Sequence, residues 1–304
     1  MSLYAPDYYK SFHCIASACR HSCCVGWQIP VDDASLYRYR VTGGEMGERL
    51  NAAIVEKEGC AAFCLSKEGR CPFLNREGLC DIILTLGEEY LTEICTEHPR
   101  FYHTLGKRTE LGLGLACEEA ARLILTQTAP LSLVCIEGEE APPDRRTRRL
   151  LSERERILSV AQDGGRPLRE RLYALLSEGR LKKRLLENAL WIPFYRSLER
   201  LESAFDAALA TWETASEAFP TDLEKAGERL LVYFIYRHAS GVRTPKKMRA
   251  RAALAALMTR HVLSIAAAHG GTLDGLLDAA RLYSAEIEYS EENTAALARA
   301  LHTL

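Results

Sequence analysis

The chain has 304 residues, of which 47% are apolar and 26% are charged, and its formal net charge is −2. This length is enough to bury a sizeable core in one or two domains. The near-neutral charge argues against general binding of nucleic acid or a membrane surface, because both need a broad positive field. Residues 1–10 lack the basic and apolar regions of a secretory signal. No stretch approaches the roughly 20 apolar residues of a membrane span, so we expect a cytoplasmic protein.

The first half of the chain consists of short segments punctuated by glycine, proline and cysteine. Asp32 or Asp33 is a candidate N-cap for a helix that runs toward Tyr39. Two glutamates begin the segment 118–125, and acidic residues suit the N-terminus of a helix. Amphipathic patterns also predict helical segments over 45–58 and 82–93.

The second half has the punctuation of long helices. Two prolines and mixed charge make 137–145 a candidate linker, so we predict domains at 1–136 and 146–304. Apolar residues at three- and four-residue spacing predict helices near 146–162, 166–178, 182–216, 221–240, 245–269, 272–285 and 290–303. No alternating strand pattern is convincing. We therefore predict an all-α fold, with an irregular cysteine-rich metal-binding N-terminal part and a C-terminal helical bundle.

The basic run 145–149, together with Arg154 and Arg156, lies on the first of these predicted helices. Such a run is most often a solvated helix face. An acidic partner surface is the alternative.

The eleven cysteines are the unusual feature of the composition, and all lie between Cys14 and Cys135. An odd count without a secretory signal argues against a disulfide framework. In a reducing cytosol, clustered thiols more often bind metal or carry out redox chemistry.

Eight of the cysteines are candidate metal ligands, and they fall into four places along the chain. Zinc and iron–sulfur clusters both prefer thiolate ligands. The chain has no C-x2-C pair of the kind that zinc ribbons present, and eight ligands exceed what one closed zinc site needs. Unliganded, buried thiols are the alternative, above all for Cys60, Cys64 and Cys135. The predicted ligands are Cys14, Cys19, Cys23, Cys24, Cys71, Cys80, Cys95 and Cys117.

Several short motifs in a fixed order resemble the flagellin lysine-N-methylases, which belong to a wider group of cysteine-cluster proteins. The resemblance covers most of residues 4–125. At four positions, Ser17, His21, Thr92 and His98, the chain departs from the family pattern, and at Thr92 the family often has a cysteine. The matching motifs are Pro6-Asp-Tyr-Tyr9, the Cys14–Cys24 cluster with Gly26-Trp27, Cys71-Pro-Phe-Leu-Asn75, Leu79-Cys-Asp-Ile82, Ile94-Cys95, Pro99-Arg-Phe101, Cys117-Glu-Glu-Ala-Ala-Arg122 and the aromatic helix Leu230–Arg237.

The resemblance implies transfer of methyl groups from S-adenosylmethionine to lysine side chains of flagellin, in an enzyme with a 4Fe–4S cluster. Neither Gly-rich segment of the chain opens a βαβ unit of the Rossmann type. We therefore expect a cluster iron that cysteine does not ligate to anchor the amino and carboxylate groups of the cofactor.

Methyl transfer needs a neutral lysine amine, although a free lysine with a pKa of about 10.4 is almost wholly protonated. Aromatic faces attract cationic sulfonium and ammonium groups, and an arginine binds a carboxylate by a two-pronged contact. The predicted catalytic residues are Tyr8, Tyr9, Tyr233, Tyr236 and Arg100. The predicted cofactor-binding residues are Trp27, Arg100 and Arg122.

Two other functions fit the same cysteine pattern. One is a non-enzymatic zinc or iron–sulfur protein that binds metal or senses redox state. The other is an interaction module whose metal is purely structural. The sequence does not predict an oligomeric state.

Overall fold

A computed structural model describes residues 2–303 except 58, 106–107, 141, 182–184, 186 and 215–220. Its internal contacts divide the chain into two compact units. The first, which we call the cysteine unit, is His13–Pro99. The second, the helical unit, combines Met1–Phe12 with Arg100–Leu304. These units differ from the predicted domains 1–136 and 146–304, because the first residues of the chain pair with strands that follow residue 100.

The strands of the described residues form two sheets, so the all-α prediction is wrong. Helix accounts for 57% of the structure and strand for 13%. The sheet of the helical unit has the order β5-β6-β1-β7, and the sheet of the cysteine unit has the order β2-β4-β3. The strands are β1 (Ser2–Pro6), β2 (Pro30–Val31), β3 (Ile54–Lys57), β4 (Cys60–Phe63), β5 (Arg100–Leu105), β6 (Arg108–Leu113) and β7 (Leu133–Glu137).

The strands were not predicted from the sequence because they are short and do not alternate between apolar and polar residues. β6 buries its last four residues on both faces of the sheet, and one of these four is the charged Glu110. A strand that is buried on both faces has no period of two. β1 runs parallel to β6, with Ser2 opposite Arg108, and antiparallel to β7, with Ala5 opposite Val134.

The helical C-terminal part of the prediction is present in the structure. The predicted helix over 182–216 is two shorter helices, α8 and α9, with non-helical chain between them; residues 182–184, 186 and 215–216 lie outside the described residues. The helices of the whole chain are α1 (Asp33–Val41), α2 (Gly44–Ala52), α3 (Asp81–Leu86), α4 (Glu93–Glu97), α5 (Glu118–Leu125), α6 (Arg145–Ala161), α7 (Leu168–Glu178), α8 (Asn188–Arg196), α9 (Ala204–Thr214), α10 (Glu224–Arg237), α11 (Pro245–Ala268), α12 (Leu273–Ile287) and α13 (Glu291–Thr303).

The core of the helical unit is built around α10 and α11. Every residue of α10 from Ala226 to Tyr236 is buried, as expected for a helix that is surrounded by other elements. α10 packs against α5 and α11, and α11 packs against α7 and α12. No helix in the described part of the chain is long and apolar enough to cross a membrane.

The core of the cysteine unit is smaller and is rich in aromatic rings. Tyr39, Phe63 and Phe73 are at most 3% exposed, and their rings contact one another in series.

The predicted cap at Asp32 is confirmed, because its carboxylate accepts a hydrogen bond from the backbone of Ser35 and α1 follows. The predicted segment 45–58 is helical only in α2 and continues as β3, and its last residue lies outside the described residues. The predicted segment 82–93 divides into α3, a 3-10 turn at Glu88–Tyr90 and the start of α4.

Candidate metal centre

Four cysteines of the cysteine unit converge on its apolar core. Cys71 is a buried member of that core, and Cys24, Cys80 and Cys95 pack against it. These four residues, which we call the thiol cluster, come from positions up to 71 residues apart in the chain. Soft thiolates in a group of four are the ligands of zinc and of iron–sulfur clusters.

Local backbone structure brings the first two cysteines together. The backbone N–H of Cys71 donates to the carbonyl of Cys24 at 2.8 Å, and the adjacent Val25 and Arg70 form an antiparallel bridge. The chain turns sharply beside this bridge because Gly26 adopts a φ of 93°, in the left-handed region that glycine favours.

The other two cysteines lie at the starts of short helices. Cys80 is the N-cap of α3, and the nearby backbone N–H groups of Ile83 and Ile82 oppose the rise in its pKa. Cys95 lies in the first turn of α4, where its backbone N–H is 3.4 Å from the hydroxyl of the N-cap Thr92. The free N–H groups and the dipole of a helix N-terminus stabilise a negative sulfur.

The charges of the thiol cluster act on one another. Burial raises the pKa of Cys71 to about 12 and that of Cys95 to about 11, and it also raises the pKa of Cys80. The pKa of Cys24 is instead lowered to about 7, chiefly by a hydrogen bond with Cys23. A Cys24 thiolate further raises the pKa of each of the other three thiols. A cation would relieve this mutual repulsion and stabilise all four thiolates together.

The four thiols pack against the same apolar core, but they do not form a complete coordination shell for a metal ion. Among the described residues, no three histidine, cysteine or acidic side chains stand close enough together to hold a metal ion. The donor set therefore fits a thiolate-bound metal, and the side chains would have to converge further around it. Cysteine side chains have a single rotatable χ1 bond, which gives each sulfur three staggered positions.

The other four predicted ligands do not pack against the core of the cysteine unit, although Cys23 is hydrogen-bonded to Cys24. Cys14 and Cys23 are exposed, and the sulfur of Cys14 accepts a hydrogen bond from the backbone of Ala16. The thiol of Cys19 donates to the carbonyl of His21. Cys117 belongs to the helical unit, where it is the N-cap of α5.

The predicted catalytic tyrosines fall into two groups within the helical unit. Tyr8, Tyr233 and Tyr236 line one cavity together with Arg229, and its volume is ≈ 20 Å³. Such a volume holds about one water molecule. Tyr9 instead accepts a hydrogen bond from Nε of Arg100 at 2.8 Å.

The hydroxyls of the cavity tyrosines are engaged in the fold. Tyr233 donates to the carboxylate of Glu288 at 2.7 Å, and Tyr236 donates to the carbonyl of Leu111 at 2.9 Å. Burial raises the pKa of Tyr8, Tyr233 and Tyr236 above the usual value for tyrosine. These hydroxyls therefore stay protonated near neutral pH.

The predicted cofactor-binding residues are not brought together by a common cavity in the described residues. Arg122 is 55% exposed in its side chain and makes a two-pronged contact with Glu119 one turn away on α5, at 2.5 and 2.7 Å. Trp27 belongs to the cysteine unit, where its indole N–H donates to the carbonyl of Cys23 at 2.6 Å.

Sequence reasoning missed a buried ionic group in the helical unit. Glu110 on β6 accepts two hydrogen bonds from Arg154 on α6 and lies 2.8 Å from Nε2 of His103 and from Nε of Arg108. Burial opposes ionisation of Glu110, but the Arg154 contact outweighs it and holds the pKa of the carboxyl well below its usual range. The network joins the sheet to α6, and the only sequence signal for it was an acidic residue directly before the segment Leu111-Gly-Leu-Gly-Leu115.

The cysteine unit also contains a charged residue that sequence reasoning did not select. Arg70 lies beside the Val25 bridge, and its positive charge contributes to the lowered pKa of Cys24. Thr92, where the resembled family often has a cysteine, caps α4 and supports Cys95.

Comparison with known proteins adds the evidence on family. The chain is 30% identical over 134 residues to a protein named Lysine-N-methylase from Salmonella typhimurium, which is 42% of this chain and 33% of the relative. A protein of the same name from Salmonella choleraesuis matches equally well. Over this stretch the chain is similar to the lysine-N-methylases. It spans a third of the length of these two lysine-N-methylases.

A third relative is shorter. The protein named Flagellar biosynthetic protein FliU from Salmonella muenchen is 29% identical over 134 residues, which make up 79% of it. No family model matches the chain, and no solved structure matches it either.

Proposed function

We propose that the chain is a methyltransferase that moves a methyl group from S-adenosylmethionine to lysine side chains of a flagellin. The similarity to proteins named Lysine-N-methylase and Flagellar biosynthetic protein FliU supports the reaction and the substrate. The structural observation that carries the proposal is the convergence of four thiols on one apolar core. In this proposal the thiol cluster holds an iron–sulfur cluster.

The number of gathered thiols bears on where the cofactor binds. When bound, an iron–sulfur cluster would supply iron positions that accept amino and carboxylate groups. If Cys24, Cys71, Cys80 and Cys95 each ligate one iron of a 4Fe–4S cluster, no iron remains for the cofactor. Anchoring of S-adenosylmethionine at iron therefore requires that one of the four sulfurs stays off the metal.

The acceptor lysine must lose a proton before its nitrogen attacks the methyl carbon. As the new N–C bond forms, the sulfonium of the cofactor leaves with the electron pair of the broken S–C bond, as a neutral thioether. Tyr8, Tyr233 and Tyr236 do not serve as the base in this proposal, because their raised pKa values keep them protonated. Desolvation of the lysine, which lowers its pKa, is the remaining route to a neutral amine.

The first experiment is anaerobic purification followed by measurement of iron, acid-labile sulfide and zinc per chain. About four irons with matching sulfide support the cluster. The same preparation is then incubated with flagellin and S-adenosylmethionine that carries an isotope in its methyl group. Labelled methyl-lysine, detected by mass spectrometry, supports the enzyme, and its absence with a fully loaded cluster contradicts it.

A non-enzymatic metal-binding or redox-sensing protein is the second candidate. It is favoured by the thiol cluster itself, because four thiols on one core suit zinc as well as an iron–sulfur cluster. Zinc without sulfide, together with no methyl transfer, would support this second candidate.

A further inference from the structure

Exposed apolar side chains lie next to two members of the thiol cluster. On α3, Ile83 is 38% exposed and Leu84 is 61% exposed, within about one helical turn of Cys80. On α4, Ile94 is 37% exposed and directly precedes Cys95 in the chain. Contiguous apolar side chains at a surface mark interaction sites, whereas single ones do not.

The same segment of chain is strongly acidic. Residues 77–99 contain six acidic residues and no lysine or arginine. Glu88, Glu89 and Glu93 are exposed, whereas Asp81 is paired with Arg49 at 2.6 Å. The acidic residues are Glu77, Asp81, Glu88, Glu89, Glu93 and Glu97.

The neighbouring helix α1 contributes one charge of each sign beside this segment. Asp32, at the start of α1, accepts a hydrogen bond from the backbone N–H of Glu93 and so brings a further negative charge to this surface. Arg38 of α1 lies over the ring of Tyr90, 5.7 Å from its centre. Within residues 81–99, the exposed charges are those of Glu88, Glu89 and Glu93, and all three are negative.

We propose that this acidic apolar face docks the substrate, as a segment of protein that carries lysine together with apolar side chains. The face is defined by Ile83, Leu84, Glu88, Glu89, Glu93 and Ile94. Negative charge attracts lysine over distances near the Debye length and speeds the encounter. Leu84 and its neighbours then bury the apolar side chains of the segment. This inference rests on the proposed function, because it places the recognition of the lysine segment beside the thiol cluster.

The test measures docking without catalysis, in the full chain loaded with its metal. The probe is flagellin whose lysines have been reductively dimethylated, so that they keep their positive charge. The variant Leu84→Ser/Glu88→Gln/Glu89→Gln removes one exposed apolar group and two charges from the face. The matched control is Leu273→Ser/Glu291→Gln/Glu292→Gln, which makes the same changes at exposed positions of the helical unit.

We expect the probe to bind the wild type and the control equally, and the face variant about tenfold more weakly, which corresponds to about 1.4 kcal/mol. Added salt should weaken wild-type binding more than that of the variant. Flagellin with succinylated lysines, whose charge is reversed, should not bind. Equal binding by all three proteins, or binding of the succinylated probe, would overturn the docking surface.

The outcome separates this inference from the proposed function. Methyl transfer that is equally fast in the wild type and the face variant at low flagellin concentration would leave the enzyme intact and overturn the docking surface. Docking that is lost in the variant, with no methyl transfer in the wild type, would support the surface and contradict the enzyme.

Discussion

Arg154 donates to both carboxylate oxygens of Glu110, at 2.5 and 2.7 Å, and the two side chains are 4% and 0% exposed. Their positions are 44 residues apart in the chain, and the contact joins β6 of the sheet to α6. The carboxylate also contacts His103 and Arg108. A charge pair of this kind is costly to break because the remaining partner is left charged in a dry interior.

Glu110→Gln should therefore destabilise the helical unit by about 3–5 kcal/mol, since it leaves the buried guanidinium of Arg154 without a counter-charge. Urea unfolding followed by tryptophan fluorescence measures the change. Glu213→Gln makes the same substitution in an exposed pair with Arg196, and it should cost less than about 1 kcal/mol. Equal effects of the two substitutions would contradict the importance of burial.

Serine substitution should identify the metal ligands among the cysteines. We expect Cys71→Ser, Cys80→Ser and Cys95→Ser each to lose most of the bound metal, because each removes one of the gathered sulfurs. Cys60→Ser and Cys64→Ser change exposed thiols outside the thiol cluster and should leave the metal in place. Iron, zinc and acid-labile sulfide per chain are the readouts. Full metal content in all five variants would contradict the assignment of Cys71, Cys80 and Cys95 as ligands.

Cys24→Ser distinguishes four ligands from three. Loss of the metal would mean that all four thiols are ligands, whereas full retention would mean that the cluster has an iron without a thiolate. In the second case we expect added S-adenosylmethionine to change the electron paramagnetic resonance spectrum of the reduced cluster. An unchanged spectrum in a protein that retains the cluster would argue against cofactor binding at iron.

Gly112→Ala should disturb the contact between β5 and β6. A Cβ at this position would stand 2.2 Å from Cζ of Phe101, which lies directly opposite on the partner strand. The aromatic ring has to move within a packed interior, at a cost of about 1–3 kcal/mol. Gly164→Ala meets nothing within 4 Å and should be neutral or stabilise by up to about 1 kcal/mol. Thermal unfolding of both variants checks the difference.

His261 should make the helical unit less stable in mild acid. It is buried on α11, where its Nδ1 is 2.7 Å from the hydroxyl of Tyr195, and burial lowers its pKa well below the usual value of 6.5. Arg260 lowers it further, and the neighbouring Tyr283 is neutral. The unfolded chain thus binds a proton at a higher pH than the folded chain does. The contribution of neutral His261 to the free energy of unfolding is fully present above pH ~6.5, and it decreases as the pH falls below that value.

The measurement is the free energy of unfolding between pH 7 and pH 5, followed by fluorescence of the tryptophans that contact His261. His261→Phe should be less stable at pH 7 but should lose less stability on acidification than the wild type. The slope contributed by one such histidine approaches about 1.4 kcal/mol per pH unit. His13→Gln replaces an exposed histidine and should leave the slope unchanged; parallel slopes in wild type and His261→Phe would contradict the argument.

Most helices of the second half were predictable because apolar spacing and local end signals mark them, although the single helix predicted over 182–216 is two helices. Thr244 accepts from the backbone N–H of Lys247 and Pro245 follows at the first helical position, as the sequence predicts for the start of α11. The strands were not predictable in this way, because their pairing is set by distant residues. Arg154 was predicted to be a solvated arginine of a basic helix face, and its burial depends on Glu110, whose position no local pattern reveals.

For the candidate site too, the sequence predicts what depends on local residues but not what depends on residues far apart in the chain. The composition predicted that the cysteines bind metal, but their spacing did not tell Cys24 from Cys23 or Cys95 from Cys117. That distinction comes from the tertiary structure. Cys24 reaches the core because its carbonyl pairs with Cys71, and Cys95 reaches it because Thr92 begins a short helix there.

The position of β1 in the chain affects the order in which the two units can fold during synthesis. β1 is synthesised before His13–Pro99, whereas its two neighbours in the sheet, β6 and β7, follow the whole of that segment. On the ribosome, β1 therefore remains unpaired until the cysteine unit has been translated. All four residues of the thiol cluster are therefore synthesised before the helical unit is complete. If the proposed metal binds there, a shortage of metal would affect the nascent chain before the rest of the protein has folded.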